Sequence, residues 1–442
     1  MQKFIVKGGR KLSGNTSVFG SKNVALKAIV ASCLTNEEVV IKNIPLISDF
    51  MVMTEIIGEI GGRVSIIGHT AKIRLEKIKK TKISLENAAS IRTSSMFLAP
   101  LLLRERKAII PNPGGCRIGA RPIDRVIKGI KKMGVKVSYN RKDGFFHLST
   151  LGVLNPVSYK FDKNTHTGTE TMILLSVLVK GKTILENTAL EPEVDDLIEI
   201  LNSMGADIKR TGKRRVEING VDKLHGAEIT IPPDRNEVVT LAIAAIITKG
   251  DIFIENISIR GLEEFIEVFK KAGGGIEIRD LGIRFYYAGK IKALDITTTF
   301  YPGFMTDWQG PWVIMMTQAE GVSVVHETVY ENRFNYVAEL EKMGAEIELF
   351  NPQVKDPEKF YNFNYEDNKP EYKHAVRISG PSSLHNAVIN ISDLRAGATL
   401  VLAALAAGGE SIIFGVEHLD RGYEKFEKRL RALGANIKRD EE

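Results

Sequence analysis

The sequence EVDDLIEILNSMGADI, residues 193–208, is one copy of a pattern that recurs along the chain and predicts its fold. Its apolar residues follow helical spacing up to Met204, and Gly205 then separates the helix from the next segment. A glycine just past a helix can adopt the left-handed backbone conformation that other residues avoid. The stretch therefore predicts an amphipathic helix, a left-handed glycine and a strand.

The same helix-ending phrase occurs six times. The copies are IGGRV at Ile60, MGVKV at Met133, MGADI at Met204, AGGGI at Ala272, MGAEI at Met343 and LGANI at Leu433. Their first glycines are separated by 73, 71, 68, 71 and 90 residues, so the last copy carries an insertion. Upstream of the phrase, a more apolar helix and a short strand recur, as in TLAIAAIITKGDIFIEN at 240–256. The sequence predicts six units of strand, helix, strand, helix and strand.

Helices that are apolar on every side belong in the interior, so the sheets are expected to cover the helices. We predict an α/β fold, a two-lobed inside-out α/β barrel built from six βαβαβ-type repeats. The predicted lobes are 22–232, with three repeats and a lid loop, and 1–21 plus 233–442, with three repeats. A six-unit open solenoid is the alternative. The insertion, between Phe350 and Asp393, is expected to form a surface hairpin.

Composition excludes several classes of protein. With 442 residues, 43% apolar and 26% charged, the chain is too apolar for a disordered protein and has no apolar run of membrane-spanning length. Its start lacks the pattern of a signal peptide, so we expect a cytoplasmic protein. Cys33 and Cys116 are the only cysteines, and no zinc spacing is present, so neither a metal nor a cofactor is predicted. The basic run at 77–82 lacks aromatic residues and is interpreted as solvated; no nucleic-acid, membrane or obligate protein partner is predicted.

Cations stand where the apolar helices begin. Lys22, Arg92 and Arg395 lie in clusters of Ser, Thr and Asp that are typical N-caps. A cation at a helix N-terminus opposes the helix dipole, and a bound anion reverses that cost. Since the clusters recur at equivalent repeat positions, they predict a site for a small molecule with two or three negative charges. The second helices add three arginines to this set: Arg121, Arg333 and Arg421.

A glycine-rich loop precedes one of the second helices. Gly114, Gly115 and Gly119 predict a mobile lid around Cys116, whose thiol pKa should be lowered by neighbouring arginines. Cys33, inside an apolar helix, is expected to be a core residue. His166 also lies in a cluster, where a local loop hydrogen bond explains it equally well.

Eight long phrases together resemble one family, the UDP-N-acetylglucosamine 1-carboxyvinyltransferases. The phrases are GSKN at 20, PGGCRIGARPID at 113, LEPEVDD at 190, PPDRNE at 232, YPGFMTDWQ at 301, YENRF at 330, SDLRAG at 392 and HLDRGYEKFEKRLRALGANI at 418. The resemblance covers essentially the whole chain and implies the same six-repeat architecture, the enolpyruvyl transferase fold.

The resemblance implies transfer of an enolpyruvyl group from phosphoenolpyruvate to the 3-hydroxyl of UDP-N-acetylglucosamine, with release of phosphate. It makes Asp307 the carboxylate beside the sugar hydroxyl and Cys116 a proton donor that fosfomycin alkylates, with Lys22 and Arg421 as further catalytic residues. The implied phosphoenolpyruvate ligands are Lys22, Asn23, Arg121, Arg333, Arg395 and Arg421. The implied sugar-nucleotide ligands are Arg92, Arg121, Pro122, Ile123, Asp124, Arg125, Lys163, Asn164, Thr165, His166, Asp307 and Val329.

The sequence departs from the family pattern at NTHTGTET (164–171), Val126 and Leu190, positions that bear on nucleotide recognition. Two rival functions stay open. One is enolpyruvyl transfer to another acceptor such as shikimate 3-phosphate; the other is a degenerate anion-binding module.

Overall fold

A computed structural model describes residues 2–112, 114, 118–120 and 122–441. These residues fall into two compact units. The N-terminal unit holds residues 19–112, 114 and 122–232, and the C-terminal unit holds residues 2–18, 118–120 and 233–441. Each unit has its own hydrophobic core.

Fourteen helices are present in the described residues. They are α1 (Lys22–Ser32), α2 (Ser48–Ile60), α3 (Leu85–Ser90), α4 (Leu98–Glu105), α5 (Asp124–Lys132), α6 (His166–Ser176), α7 (Pro192–Ser203), α8 (Arg235–Ile247), α9 (Glu263–Lys271), α10 (Gln309–Thr317), α11 (Val337–Lys342), α12 (Pro357–Phe360), α13 (Leu394–Ala406) and α14 (Phe426–Ala432). None of those helices combines the length and the apolarity that crossing a membrane demands.

The strands of the same residues are β1 (Gln2–Lys7), β2 (Ser13–Ser17), β3 (Val39–Lys42), β4 (Arg63–Ile67), β5 (Thr70–Arg74), β6 (Lys107–Pro111), β7 (Lys136–Asn140), β8 (Phe145–Ser149), β9 (Ser158–Lys160), β10 (Gly181–Glu186), β11 (Asp207–Gly212), β12 (Arg215–Gly220), β13 (Glu228–Thr230), β14 (Asp251–Glu255), β15 (Gly274–Arg279), β16 (Gly282–Tyr287), β17 (Ile296–Thr297), β18 (Gly321–His326), β19 (Glu346–Phe350), β20 (Ala375–Gly380), β21 (Val388–Asn390), β22 (Glu410–Phe414) and β23 (Asn436–Glu441).

Over the described ranges these strands form six sheets, three in each unit. The N-terminal unit has the orders β13-β3-β5-β4, β6-β8-β7 and β11-β12-β10-β9; the C-terminal unit has β15-β16-β14-β2, β17-β18-β20-β19 and β21-β22-β1-β23. Every four-stranded sheet combines one parallel and two antiparallel pairs. In the three-stranded sheet, a parallel bridge from Lys82 to Ile109 stands where the fourth strand would be. The predicted six repeats are confirmed, and because each unit encloses its own core, they do not form an open solenoid.

The apolar helices lie in the interior, as the sequence predicts. Every residue of α8 and of α10 is buried, and α1, α4, α6 and α13 are buried over most of their length. Burial on all sides removes more apolar surface from water than a one-sided amphipathic helix can. Most charged side chains of these helices therefore lie in the first or last turn, and Lys27 of α1 and Glu170 of α6 are the exceptions.

The glycines of the recurring phrase are left-handed. Gly61, Gly134, Gly205, Gly273, Gly344 and Gly434 have φ between 89° and 106°. This region is strained for residues with a Cβ atom, so glycine is required where each second helix turns into its strand.

The insertion differs from the expected hairpin between Phe350 and Asp393. Strands β19 and β20 pair as far as Phe350 and Ala375, so the added residues are 351–374. Residues 375–380 and 388–390, which we expected in the insertion, are regular strands of the sheet.

Residues 351–374 contain the short helix α12 and a cluster of rings in place of a hairpin. Tyr361, Phe363 and His374 have ring centroids 4.9 to 5.2 Å apart, and all three are buried. Ring packing of this kind buries more apolar surface than two exposed strands would, which explains why the hairpin prediction was wrong.

Helix α2 offers a matched test of the left-handed glycine. We expect Gly61→Ala to lower the free energy of unfolding by about 1–2 kcal/mol, because φ at Gly61 is 106° and an added Cβ would lie 2.7 Å from the Lys79 side chain. Gly58→Ala, three residues earlier, should raise it by about 0.5–1 kcal/mol, since nothing lies within 4 Å of the new Cβ. Thermal unfolding of the two variants shows whether each substitution raises or lowers the stability. Equal changes in both variants would contradict the left-handed conformation assigned to Gly61.

Candidate active site

Three buried helices of the C-terminal unit begin beside one another. The indole Nε1 of Trp308, just before α10, donates a hydrogen bond of 2.9 Å to Asn236 Oδ1 in the first turn of α8. Arg395, in the first turn of α13, places Nη2 3.4 Å from Oδ2 of Asp307. The helix starts of the three repeats in this unit therefore share one polar cluster.

Asp307 lies between two arginines. Its carboxylate is 3.0 Å from Arg333 Nη2 and 3.4 Å from Arg395 Nη2, and both guanidinium side chains are less than a tenth exposed. Burial by itself raises the pKa of Asp307, but Arg395, Arg333 and Arg235 outweigh it and hold that pKa at about 2. Asp307 is ionised at neutral pH, and its side chain stays 28% exposed, so a ligand can reach it.

Tyr423 holds Arg395 in place. Its hydroxyl accepts a hydrogen bond of 3.0 Å from Arg395 Nη1 and lies 2.9 Å from the hydroxyl of Thr240. Burial raises the pKa of Tyr423, so it stays a neutral phenol. Sequence reasoning did not single out Tyr423, although it lies inside one of the family phrases.

Glu327 supports the turn that carries Asp307. This fully buried carboxylate accepts hydrogen bonds from the Thr306 hydroxyl at 2.9 Å and from the backbone N–H groups of Val329 and Tyr330 at 2.7 and 3.1 Å. It therefore links Val329, a predicted acceptor ligand, to the residue before Asp307. Sequence reasoning missed Glu327, because it is neither a cation nor at the start of a helix.

Residues 118–120 belong to the C-terminal unit, although the flanking residues 114 and 122 belong to the other unit. The backbone N–H of Ala120 donates to the Glu331 carboxylate, and Ile118 O accepts from Asn332 N. A Cβ on Gly119 would lie 2.3 Å from Glu331, so this close approach requires glycine. Cys116 and Arg121, both predicted site residues, lie outside the described residues.

In the N-terminal unit, the predicted phosphate ligand Lys22 begins α1. Its Nζ lies 2.6 Å from Asp49 Oδ2 in the first turn of α2, and both side chains are nearly buried. Asn23 follows as the second residue of α1. An anionic ligand of Lys22 would have to compete with the Asp49 carboxylate.

A pocket of about 360 Å³, including the solvent at its mouth, opens in the N-terminal unit. It contains five predicted sugar-nucleotide ligands: Arg92, Pro122, Ile123, Arg125 and Thr165. The rest of its lining is Ser95, Leu98, Val126, Thr167, Gly168 and Thr171. Apolar side chains beside arginines and hydroxyls suit a ligand with a flat ring and a charged group.

The arginines of this pocket are held by the backbone around it. Arg92 Nη2 donates to Pro122 O at 3.3 Å, and Arg125 Nη1 donates to Asn164 O at 3.1 Å. Thr165 caps α6 by accepting from Gly168 N. These bonds bring together residues of the two stretches, 121–125 and 163–166, that the family resemblance implies for the nucleotide.

The remaining predicted residues lie next to these groups. Asp124 begins α5, Lys163 precedes Asn164, and His166 begins α6. Arg421 lies in the turn before α14 of the C-terminal unit. Across the described part of the chain, no group of three or more His, Cys, Asp or Glu side chains is arranged to hold a metal ion.

Comparisons with known proteins agree with the predicted family. A sequence model of the EPSP synthase (3-phosphoshikimate 1-carboxyvinyltransferase) family matches residues 6–430. The UDP-N-acetylglucosamine 1-carboxyvinyltransferase of Solibacter usitatus is 38% identical over 442 residues, covering 100% of both chains. The protein of the same name from Acidobacterium capsulatum is 39% identical and covers 99% of this chain and 96% of its own.

Two solved structures share the fold. The enolpyruvyl transferase NikO from Streptomyces tendae has a TM-score of 0.86 at 23% identity, covering 99% of this chain and 98% of its own. An EPSP synthase from Acinetobacter baumannii has a TM-score of 0.73 at 18% identity, covering 100% of both chains. The predicted α/β enolpyruvyl transferase fold is confirmed. With full-length relatives of one name at 38 and 39% identity, the chain belongs to the UDP-N-acetylglucosamine 1-carboxyvinyltransferase family.

Proposed function

We propose that this protein transfers the enolpyruvyl group of phosphoenolpyruvate to the 3-hydroxyl of UDP-N-acetylglucosamine and releases phosphate. The observation that carries the proposal is an ionised, partly exposed Asp307 between two buried arginines, in a chain that aligns end to end with relatives of that name. The product then enters peptidoglycan precursor synthesis in the cytoplasm. The reaction class needs a base for the hydroxyl, an acid for the methylene carbon and cations for the donor.

The donor carries a carboxylate and a phosphate, so its binding residues are cations. In the C-terminal unit these are Arg333, Arg395 and Arg421, with Tyr423 keeping Arg395 oriented. In the N-terminal unit the proposed binding cation is Lys22, and Asn23 follows it in α1. Arg121, outside the described residues, completes the proposed donor set.

Asp307 is the proposed base. A carboxylate held at a pKa of about 2 is a weak base, because the flanking guanidinium groups stabilise its charge. When the anionic donor engages Arg333 and Arg395, part of that stabilisation is withdrawn and the basicity of Asp307 rises. The base is thereby activated only when the donor is present.

The hydroxyl oxygen then bonds to the donor carbon that bears the phosphate, its proton passes to Asp307, and Cys116 donates a proton to the methylene carbon. A proton then returns from the resulting methyl group to the Cys116 thiolate as the bond between carbon and phosphate oxygen breaks. This restores the double bond and releases phosphate, which takes up the proton held by Asp307.

The acceptor nucleotide is assigned to the pocket between residues 122–125 and 163–166. Pro122, Ile123 and Leu98 offer apolar surface to the uracil ring, and Arg92 and Arg125 offer charge to the diphosphate. Asp124, Lys163 and Asn164 adjoin the residues of this pocket in the chain. Val329, which the resemblance implies as an acceptor ligand, shares the Glu327 carboxylate with Thr306, the residue before the proposed base.

Enolpyruvyl transfer to shikimate 3-phosphate is the second candidate, since the matching family model is described by that reaction. We expect phosphate release from phosphoenolpyruvate to require UDP-N-acetylglucosamine, because the pocket combines a ring-sized apolar wall with two arginines. A colorimetric phosphate assay with each acceptor alone tests this. Release with shikimate 3-phosphate only would favour the second candidate, and release with neither would favour the anion-binding module.

Asp307→Asn should lower the turnover number by about 100- to 10,000-fold, because the amide cannot accept the hydroxyl proton. Phosphate release at saturating substrates measures the loss. Asp356→Asn, which changes a surface carboxylate in the same way, is the control and should keep normal turnover. If Asp307→Asn turned over at a near-normal rate, Asp307 would have no role as the base.

Cys116 and Cys33 should differ strongly in reactivity. Cys33 is fully buried and its pKa is raised to about 12 by burial, so it presents almost no thiolate. We expect fosfomycin to label Cys116 more than about 100-fold faster than Cys33. Mass spectrometry of tryptic peptides locates the label. Cys33→Ala should label normally and Cys116→Ala should not label; equal labelling of both thiols would contradict a reactive loop cysteine.

A further inference from the structure

The connection between β19 and β20 is longer than strand pairing requires. In four other sheets the matching antiparallel strands, β4–β5, β7–β8, β11–β12 and β15–β16, are joined by two to four residues. Strands β19 and β20 are joined by an inserted segment of 24 residues, 351–374. Since a short turn closes the same pairing elsewhere, the additional residues need another explanation. The function proposed above uses none of them.

The inserted segment is hydrogen-bonded to the loop that follows β18, residues 327–330. The backbone N–H of Asn362 donates a bond of 2.9 Å to Thr328 O, and that of Glu327 donates one of 2.7 Å to His374 O. The same loop is bonded to Thr298, whose hydroxyl accepts from the Thr328 N–H at 3.0 Å. The backbone of the 327–330 loop is therefore fixed by two parts of the chain, and one of them is the inserted segment.

A cluster of rings makes both bonds of the inserted segment depend on Tyr361, which is 3% exposed. The ring centroid of Tyr361 lies 4.9 Å from that of His374, and its hydroxyl lies 3.1 Å from Nε2 of His326, the last residue of β18. Phe360 stacks on the His326 ring with centroids 5.3 Å apart. Asn362 directly follows Tyr361 in the chain. Loss of the Tyr361 ring should therefore weaken the bond made by Asn362 and the bond made by His374 together.

The 327–330 loop connects the inserted segment to the proposed base. The Glu327 carboxylate accepts from the Thr306 hydroxyl at 2.9 Å and from the Val329 N–H at 2.7 Å. Because Glu327 is fully buried, it cannot exchange these bonds for bonds to water without a cost in free energy. A displacement of the loop would therefore also displace Thr306, the residue before Asp307.

We propose that the inserted segment positions Asp307 for the acceptor hydroxyl, by fixing the 327–330 loop through the ring of Tyr361. This inference rests on the proposed function, in which Asp307 is the base. Tyr361 is a positioning residue, because it acts on Asp307 through Glu327 and the turn before Asp307. Displacing a reacting group by about 1 Å can cost about 100-fold in rate, so a ring cluster that fixes this loop has a measurable effect on turnover.

The first experiment needs no substrate. Hydrogen–deuterium exchange of the amides at 327–330, followed by mass spectrometry, measures how firmly the loop is held. We expect Tyr361→Ala to speed this exchange about tenfold, because the bonds from the inserted segment are weakened. Tyr365→Ala is the matched control, since Tyr365 is a 37% exposed ring of the same segment, with its centroid 6.2 Å from that of Tyr361. Equal exchange in the two variants would overturn the inference.

The second experiment compares the two substrates by steady-state kinetics. In Tyr361→Ala we expect turnover to fall about 10- to 100-fold and the KM for UDP-N-acetylglucosamine to rise about fivefold, because Asp307 and Val329 both depend on the loop. The KM for phosphoenolpyruvate should change by less than about twofold, because Arg395, a proposed donor cation, is held by Tyr423. Partial unfolding alone would lower turnover and leave both KM values unchanged.

Two further variants serve as controls for this kinetic comparison. Tyr361→Phe keeps the ring and removes only the hydroxyl beside His326, so it should recover most of the turnover. Tyr365→Ala should behave like the unmodified protein. Normal turnover in Tyr361→Ala, or an equal rise of both KM values, would contradict a positioning role.

A substitution at Asn362 tests one backbone bond without removing a ring. Asn362→Pro lacks the N–H that Thr328 O accepts, and the ψ of 142° at Tyr361 suits a residue before proline. Asn362→Ala keeps that N–H and measures the contribution of the side chain alone. We expect the KM for UDP-N-acetylglucosamine to be about fivefold higher in Asn362→Pro than in Asn362→Ala. Equal values would show that this bond does not position the loop.

Failure of this inference and failure of the proposed function have different signatures. If the unmodified protein released no phosphate with UDP-N-acetylglucosamine, the proposed function would fail, and the role of the inserted segment toward Asp307 would fail with it. Hydrogen exchange would still decide whether the segment fixes the 327–330 loop. Normal phosphate release together with unchanged exchange in Tyr361→Ala would overturn the inference alone.

Discussion

The helices at the centre of each unit are buried on every side, and this burial determines where polar side chains can lie. Helices α8 and α10 have no exposed residue, so an unpaired polar side chain in the middle of either helix would be buried at a cost in free energy. Polar side chains collect instead where the helices start, and the free backbone N–H groups and the helix dipole make those starts attractive to anions. In the C-terminal unit the starts of three such helices are joined by hydrogen bonds and ion pairs. The fold thus concentrates binding chemistry at one end of each helix.

The ion pairs at these helix ends also neutralise buried charges in the substrate-free protein. Asp307 with Arg333 and Arg395, and Asp49 with Lys22, neutralise cations that otherwise oppose the helix dipole. Under the proposed function, an anionic substrate exchanges one carboxylate partner for another, so that binding leaves no buried cation without a counter-charge. In the proposed mechanism this exchange has a chemical result, because the carboxylate that is released from its cations becomes the base.

Residues that position other side chains are the hardest to predict from the sequence. Lys22, Asp307 and Arg395 stand in phrases that combine a charge with a helix start, so their placement was visible in the sequence. Glu327 and Tyr423 form their bonds across repeats or along an irregular turn, and nothing in their local spacing indicates a partner. The insertion at 351–374 was mispredicted for a related reason, since its rings pack against residues distant in sequence, such as His326.

The repeat, the interior helices, the left-handed glycines and the family are predictable from the sequence alone, because each follows from local periodicity or from a contiguous phrase. Which charged side chains meet depends instead on tertiary contacts. Lys27 and Glu170 are 143 positions apart in the chain and lie in the interior of two apolar helices. In the sequence, each is a charged residue at a position where the helical pattern predicts an apolar one. Their pairing is favourable only in the folded state, because Coulomb attraction in a buried environment depends on a distance of a few ångströms that no sequence pattern encodes.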